Sequence, residues 1–317
     1  VAERLRVLFH FEPGAEVRAW VEAQAAQRGL QLHCCAEGDE AGLRALLPET
    51  EVWWHVLQPV TPALLAAAPR LRLVQKLGVG VNTIALEAAR AAGVAVCNAP
   101  GTNARAVAEL TLMLMLAALR RAAQLQARLR AGHWAVPGPV QEQLGELGGR
   151  TVGLVGFGAV PALLAPWLAA MGARVVHHTH TPRPGPFEHL PLEALLERSD
   201  IVSLHLPLTP QTEGLLDERA FARMKPGAVL VNTARGGLVD EAALLRALQS
   251  GRLRAAGLDV YATEPLPADH PLLALEQVVA TPHTAWMTPE TLQRCLAVAL
   301  DNACAVRDGR GLAHRVV

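Results

Sequence analysis

Thr151-Val152-Gly153-Leu154-Val155-Gly156-Phe157-Gly158 is the stretch on which the reading of this chain turns. Residues 151–155 have the pattern of a buried strand, two turn glycines follow directly, and a helix-like run begins around Val160. A glycine pattern alone carries little weight; a strand–turn–helix setting around it gives it meaning. The glycine at 156 permits the tight turn, and the one at 158 lets backbone approach a pyrophosphate held at the helix N-terminus. Gly156, Phe157, Gly158, Ala159 and Val160 are therefore candidate dinucleotide contacts. The third glycine of the usual fingerprint is replaced by Pro161, which the first helical turn tolerates because its missing N–H costs little there.

The next strand pattern, 174–178, ends in Thr179-His180-Thr181-Pro182-Arg183. An NAD site of this kind usually places a carboxylate near 179 to bond the ribose hydroxyls. None is present. Thr179, His180 and Arg183 offer neutral or positive donors, which suit a 2′-phosphate, so NADP is expected ahead of NAD. The neighbouring His177, His178 and His180 do not read as a metal site. Strand alternation sends the first two to opposite faces, and no cysteine pair accompanies them.

Outward from this unit the α/β rhythm continues in both directions. Downstream, strands are expected at 201–206, 228–232, 255–258 and 278–281, with helices at about 160–171, 192–198, 217–224, 240–250 and 289–307. Upstream, strands are expected at 6–9, 31–34, 52–57, 71–76 and 94–97, with helices at about 15–28, 39–47, 62–68 and 83–92. Strands alternating with helices indicate parallel sheets. Residues 103–130 read as one long helix rich in Leu, Met and Ala. Residues 131–149, with Trp134, read as an exposed arm or linker.

At 317 residues, 51% of them hydrophobic, the chain suits two domains. Its formal net charge is zero and no long basic run occurs, which argues against a nucleic-acid or anionic-membrane surface. No apolar run is long enough to span a bilayer. The N-terminus, Val1-Ala2-Glu3-Arg4-Leu5-Arg6, lacks a signal-peptide layout, so a cytoplasmic location is expected. The five cysteines show neither a CxxC pair nor a disulfide-dense spacing and are expected to be reduced thiols. Among the basic residues only two are lysines, Lys76 and Lys225.

Three distant segments each contribute one ionisable group. Asn232-Thr233-Ala234-Arg235-Gly236-Gly237 brings Arg235. Asp259-Val260-Tyr261-Ala262-Thr263-Glu264-Pro265 brings Glu264. Thr281-Pro282-His283-Thr284-Ala285-Trp286 brings His283. Alone, each has an ordinary alternative: a strand-end ion-pair partner, a loop carboxylate, a helix cap. Together and in this order, beside the glycine turn, they resemble the D-isomer-specific 2-hydroxyacid dehydrogenase family, over roughly residues 50 to 305. The resemblance implies two Rossmann-like, doubly wound parallel-sheet α/β domains with a cleft between them. The dinucleotide domain, 99–286, would be inserted into a substrate domain made of 1–98 and 287–317. It also implies hydride transfer from NAD(P)H to a small 2-oxo acid. Arg235 would hold the carboxylate, His283 would donate the proton, and Glu264 would orient the imidazole. Leu206, Pro207 and Thr212 would line the cofactor path, and Thr233, Ala234 and Asp259 the nicotinamide side. Ala159 stands where relatives often carry an arginine, removing one cation from the pyrophosphate.

The same resemblance assigns the loop Lys76-Leu77-Gly78-Val79-Gly80-Val81-Asn82 to the substrate carboxylate. Val79 and Gly80 would contribute there through converging backbone N–H groups, with Lys76 either adding charge or standing as a solvated strand-end residue. Trp286 either walls the pocket or packs in core or interface. A tryptophan there in some relatives favours hydroxypyruvate or glyoxylate as substrate. Trp53 and Trp54, on a strand pattern, are expected to pack. A homodimer is expected from the apolar surplus of 103–130. Alternatives within the family are phosphoglycerate, phosphite and formate dehydrogenases. An alternative of another class is an NAD(H)-sensing corepressor or scaffold of the same fold.

Overall fold

A computed structural model describes residues 4–182 and 184–317. The described chain separates into two compact units. One runs to Asn103 and resumes at Met287–Val317; the other is Ala104–Trp286. Each has its own parallel sheet, and both α/β sheets match the expected fold class.

The first unit contains β1 (Leu5–His10), β2 (Leu30–Cys35), β3 (Val52–His55), β4 (Leu73–Lys76) and β5 (Ala95–Cys97). They pair in parallel in the order β2-β1-β3-β4-β5. β3 is buried along its whole length, and Trp53 and Trp54 are fully enclosed. That is how a parallel strand covered on both faces must be built. The helix Pro289–Asp308 packs in this unit. Its buried Asn302 donates through Nδ2 to Gln75 Oε1 (2.6 Å) and to the Ala313 carbonyl (3.1 Å), and its Oδ1 accepts from the Ala313 N–H (2.8 Å). The C-terminal residues then run along β5, where Val316 N–H donates to the Val96 carbonyl (2.7 Å).

The second unit contains β6 (Thr151–Val155), β7 (Arg174–His178), β8 (Glu188–His189), β9 (Ile201–Leu204), β10 (Ala228–Asn232), β11 (Leu253–Leu258) and β12 (Val278–Ala280). Their order is β12-β11-β10-β9-β6-β7-β8, all parallel. The order reverses direction beside β6, so a crevice for a ligand opens outside the carboxyl ends of β6 and β9. One face packs helices Ala104–Leu119 and Ala159–Ala170 through Leu114, Met115, Leu164 and Leu168. The other packs Leu192–Arg198, Glu218–Arg223 and Glu241–Gln249 through Leu195, Phe221 and Leu244.

The structure corrects one long element. Residues 103–130 form two helices, Ala104–Leu119 and Ala122–Arg130, separated by Arg121 in the left-handed conformation (φ 52°). The first is deeply buried in its own unit; the second has no buried residue. A straight continuation would carry a polar helix along the path set by an apolar one. The turn costs about 1–2 kcal/mol at a non-glycine residue, and a bond from Arg121 Nη2 to Gln143 Oε1 (2.6 Å) helps hold it. Residues 131–149 are mostly exposed, with Trp134 at 87%, but they contain a short helix, Gly138–Gln141, and end on buried Leu147. No helix among the described residues is long and apolar enough to cross a membrane. All five cysteines are free.

Removing the Asn302 side chain strands two buried polar groups, Gln75 Oε1 and the Ala313 N–H. Asn302→Ala is expected to lower stability by about 2–4 kcal/mol, read as a drop in the urea midpoint without loss of helical signal at low denaturant.

Candidate active site

Among the described residues, the candidates of the second unit lie on loops leaving the carboxyl edge of its sheet or, for Ala159 and Val160, at the start of the helix that follows. After β6 the chain turns at Gly156, whose φ of 97° suits glycine. A Cβ there would come within 2.7 Å of the His205 carbonyl oxygen. Gly158 then serves as N-cap of the helix Ala159–Ala170 with no side-chain cap, and a Cβ on it would meet nothing within 4 Å. The N–H groups of Ala159, Val160 and Pro161's successor therefore begin a helix whose first turn takes no capping side chain, and Pro161 falls within that turn as expected. This open, uncapped turn at the strand-order reversal fits a dinucleotide pyrophosphate.

Beyond β7, Thr179 Oγ1 donates to the Thr181 carbonyl (2.9 Å), while His180 is exposed. Arg183 lies outside the described residues. His177 is buried and lies against Phe157, with ring centroids 4.4 Å apart and planes tilted by 39°. His178 donates through Nδ1 to the Leu190 carbonyl (3.0 Å). No group of three or more metal-ligating side chains is arranged around a common centre among the described residues. After β9, Leu206 and Pro207 open a loop that Thr212 organises. Its hydroxyl donates to the Pro207 carbonyl (2.7 Å) and accepts from the Thr209 N–H (2.8 Å).

The three ionisable groups come from the next three strands. After β10, the Asn232 side chain accepts from the Ala234 N–H (3.0 Å) and donates to the Arg235 carbonyl (2.9 Å), which shapes the Thr233-Ala234-Arg235 turn. Thr233 is pinned by its hydroxyl bond to Thr111 (2.7 Å). Arg235 is partly buried, and its Nη1 donates to the Ala234 carbonyl (2.6 Å). Burial pushes its guanidinium below the ordinary value, and the nearby Glu264 carboxylate works against that. Gly236 follows, and any Cβ on it would overlap the Tyr261 carbonyl. Glycine is what lets the β10 and β11 loops touch here.

After β11, Glu264 faces His283 with its Oε2 2.6 Å from Nδ1. A carboxylate can only accept, so Nδ1 carries the hydrogen and Nε2 is the ring nitrogen left outside this bond. Glu264 Oε1 accepts from the Tyr261 N–H (2.9 Å). Burial raises the Glu264 carboxyl, but the bonds from His283 and Tyr261 and the charge of Arg235 outweigh it, and the net displacement is downward.

After β12, His283 sits in the left-handed region (φ 53°). Asp259 holds it there. The Asp259 carbonyl accepts from the His283 N–H (2.8 Å). Its fully buried carboxylate accepts from Thr281 Oγ1 (2.6 Å), the Thr284 N–H (2.8 Å) and the Ala285 N–H (2.9 Å). Asp259, expected to line the nicotinamide side, thus has both oxygens engaged by the loop that carries His283. Trp286 is buried at the end of that loop.

Sequence reasoning missed Tyr261, Glu241 and Thr111. The Tyr261 hydroxyl reaches the Leu258 and Thr281 carbonyls (3.2 and 3.1 Å), bracing one catalytic loop against the other. Glu241 accepts from the Ala262 N–H (2.8 Å). The one available signal was that Tyr261 is the chain's single tyrosine, two residues after Asp259. In the first unit, Lys76 ends β4 and is buried, donating to the Val56 carbonyl. It is therefore not a solvated strand-end lysine. Gly78 takes a positive φ, and Val79 and Gly80 follow with Val79 exposed.

Two outcomes are expected. In Asp259→Asn one carboxylate oxygen becomes an NH2 facing donors, so the thermal midpoint should fall by an amount equivalent to about 2–4 kcal/mol with secondary structure retained. Glu264 supplies the second. A carboxyl held below its ordinary value, 4.5, contributes stability that is present above that pH and lost as the pH falls through the lower folded value. The thermal advantage of wild type over Glu264→Gln should therefore be full near neutrality and shrink on acidification; a constant gap down to about pH 3 would contradict it.

Comparison with known proteins identifies the family. Residues 112–285 match the family described as D-isomer specific 2-hydroxyacid dehydrogenase, NAD binding domain. The D-3-phosphoglycerate dehydrogenase of Mycobacterium leprae is 44% identical over 265 residues, covering 81% of this chain and 49% of that protein. The chain thus spans about half the length of that relative. A glyoxylate reductase of Korarchaeum cryptofilum is 39% identical over 257 residues, covering 79% of this chain and 77% of that protein. The crystal structure of the TT0316 protein from Thermus thermophilus superposes with a TM-score of 0.89 at 40% identity, covering 99% of this chain and all of that one. With the glycine turn, the arginine, the carboxylate–histidine pair and this match in agreement, the chain belongs to the D-isomer specific 2-hydroxyacid dehydrogenase family.

Proposed function

We propose that this protein reduces a small 2-oxo acid, hydroxypyruvate or glyoxylate, to the D-2-hydroxy acid. The observation that carries the reading is the 2.6 Å bond between Glu264 Oε2 and His283 Nδ1, with Arg235 close enough to influence the same carboxylate. A bound reduced nicotinamide supplies the hydride. Arg235 grips the substrate carboxylate through its planar fork and polarises the ketone. His283 delivers the proton from Nε2 to the ketone oxygen, and in the reverse direction takes it back. Glu264 fixes the tautomer and the ring plane and stabilises the imidazolium. Lys76, Val79 and Gly80 assist at the substrate carboxylate, and Trp286 limits the substrate side chain. The unit Ala104–Trp286 carries the dinucleotide, and the other unit the substrate.

NADP is the favoured cofactor of this reading. Thr179 and exposed His180 stand where a ribose-binding acid would otherwise exclude a 2′-phosphate. A second reading, phosphoglycerate oxidation, is supported by the 44% identity to the mycobacterial phosphoglycerate dehydrogenase. We also place the protein as a homodimer. The apolar surplus for this lies on Met113 (45% exposed) of the helix Ala104–Leu119, on Leu129 (57% exposed) and on Trp134.

Nicotinamide oxidation followed with NADPH and NADH against glyoxylate, hydroxypyruvate and 3-phosphohydroxypyruvate tests these assignments together. Turnover should be fastest with one of the first two acids and with NADPH, and should fall by about 10²–10⁴ in His283→Ala. Thr179→Asp should shift the preference toward NADH. Preference for the phosphorylated acid would move the assignment to the second reading. Absence of turnover with measurable cofactor binding would move it to a sensor. Sedimentation at micromolar concentration should show a dimer.

A further inference from the structure

Arg121, Arg150 and Arg254 converge at the amino edge of the seven-stranded sheet, at the opposite end of the strands from the catalytic loops. Arg150 immediately precedes β6, Arg254 is the second residue of β11, and Arg121 is the left-handed residue after the helix Ala104–Leu119. A bulge aims Arg254. Ala228 pairs with Leu253 and Val229 with Ala255, so Arg254 is the extra residue on β11. Ala255 packs with Leu114 and Leu119 on one face of the sheet, while Leu253 and Ala256 pack on the other. The bulge thus breaks strict alternation and sends Arg254 toward Gly145.

Gly145 marks the point of convergence. A Cβ built on it would lie 2.7 Å from Arg150 Nη2 and 3.2 and 3.3 Å from Arg254 Nη2 and Nη1. Two guanidiniums therefore flank one glycine, whose own N–H is engaged by the Leu119 carbonyl (2.9 Å). Arg121 is only 7% exposed. Its Nε, and Nε and Nη2 of Arg254, are buried with no protein acceptor.

The carboxylates nearby are too few and already engaged. Asp200 accepts from the Thr151 N–H (2.8 Å) and from Lys225 Nζ (3.0 Å). Glu276 accepts from Gln124 Nε2 (2.6 Å). Glu146 lends Arg150 only its backbone carbonyl (2.5 Å from Nε). Arg121, Arg150, Arg254 and Lys225 thus share Asp200 and Glu276. Burial, then repulsion from Arg150 and Arg121, holds the Arg254 guanidinium below its ordinary value despite Asp200. Buried donors without acceptors, beside like charges, cost free energy. An oxyanion accepting from both forks offsets both costs.

We propose that Arg150 and Arg254, backed by Arg121, form a binding site for a small, doubly charged tetrahedral oxyanion of the phosphate type, remote from the catalytic edge. Calorimetric titration of inorganic phosphate into the full chain tests this, using wild type, Arg254→Gln, Arg150→Gln and, as a control for anion binding at the catalytic edge, Arg235→Gln. Wild type and Arg235→Gln should share a saturable binding event that weakens at least tenfold in Arg254→Gln and in Arg150→Gln. Arg254→Gln should melt no lower than wild type without phosphate, because a repulsion has been relieved. Phosphate should raise the wild-type midpoint and leave that of the variant unmoved. Identical phosphate isotherms in wild type and both amino-edge variants would overturn the proposal. So would the absence of any wild-type isotherm together with loss of self-association in Arg254→Gln, which would assign these arginines to a carboxylate of a second copy.

Discussion

The Asp259 carboxylate is the interaction on which the candidate active site depends. It is fully buried and accepts four hydrogen bonds from residues 281–285, while its own carbonyl accepts the His283 N–H. A buried carboxylate tolerates its surroundings only when its oxygens are satisfied. The loop satisfies them, and in return its backbone is fixed with His283 at φ 53°. A non-glycine residue keeps that conformation only where neighbouring bonds over-determine it. The strained histidine and the satisfied aspartate are thus two sides of one arrangement.

From there the remaining contacts follow in sequence. Once His283 is set, its Nδ1 meets Glu264, whose other oxygen is held by the Tyr261 N–H. Tyr261 in turn spans to Leu258 and Thr281, closing the two loops on each other. The β10 loop joins only because Gly236 has no side chain to strike the Tyr261 carbonyl. Orientation of the imidazole therefore comes from main-chain hydrogen bonds as much as from the residues that would touch a substrate.

Charge is distributed in a way that a neutral total conceals. At the carboxyl edge Arg235 is offset by Glu264 within a pair-and-histidine arrangement. At the amino edge three arginines meet with few acceptors. In water-exposed surface such clusters cost little; partly buried, each lost acceptor and each like neighbour counts in full. The fold keeps the second cluster through a bulge in β11, a feature that no composition line reveals.

Local chemistry was legible in the sequence. The strand–glycine–helix passage at 151–160 and the strands around it follow from neighbours within a few residues, where periodicity and turn propensity act, whereas Arg235, Glu264 and His283 stood out as a set only through their resemblance to a known family. The helix break at Arg121 was not legible, because neither glycine nor proline marks it and the change from a buried to an exposed path decides it. Lys76 could be read either as added charge at the substrate loop or as a solvated strand end, and its burial in the fold removes the second. The two roles of Asp259, the bracing by Tyr261 and the meeting of Arg121, Arg150 and Arg254 were likewise invisible. Which groups stand at the ends of which strands is written in the order of residues along the chain. Which hydrogen bonds those groups close and which they leave open is set by the fold, because acceptors and donors far apart in the chain are brought within reach of one another by packing alone.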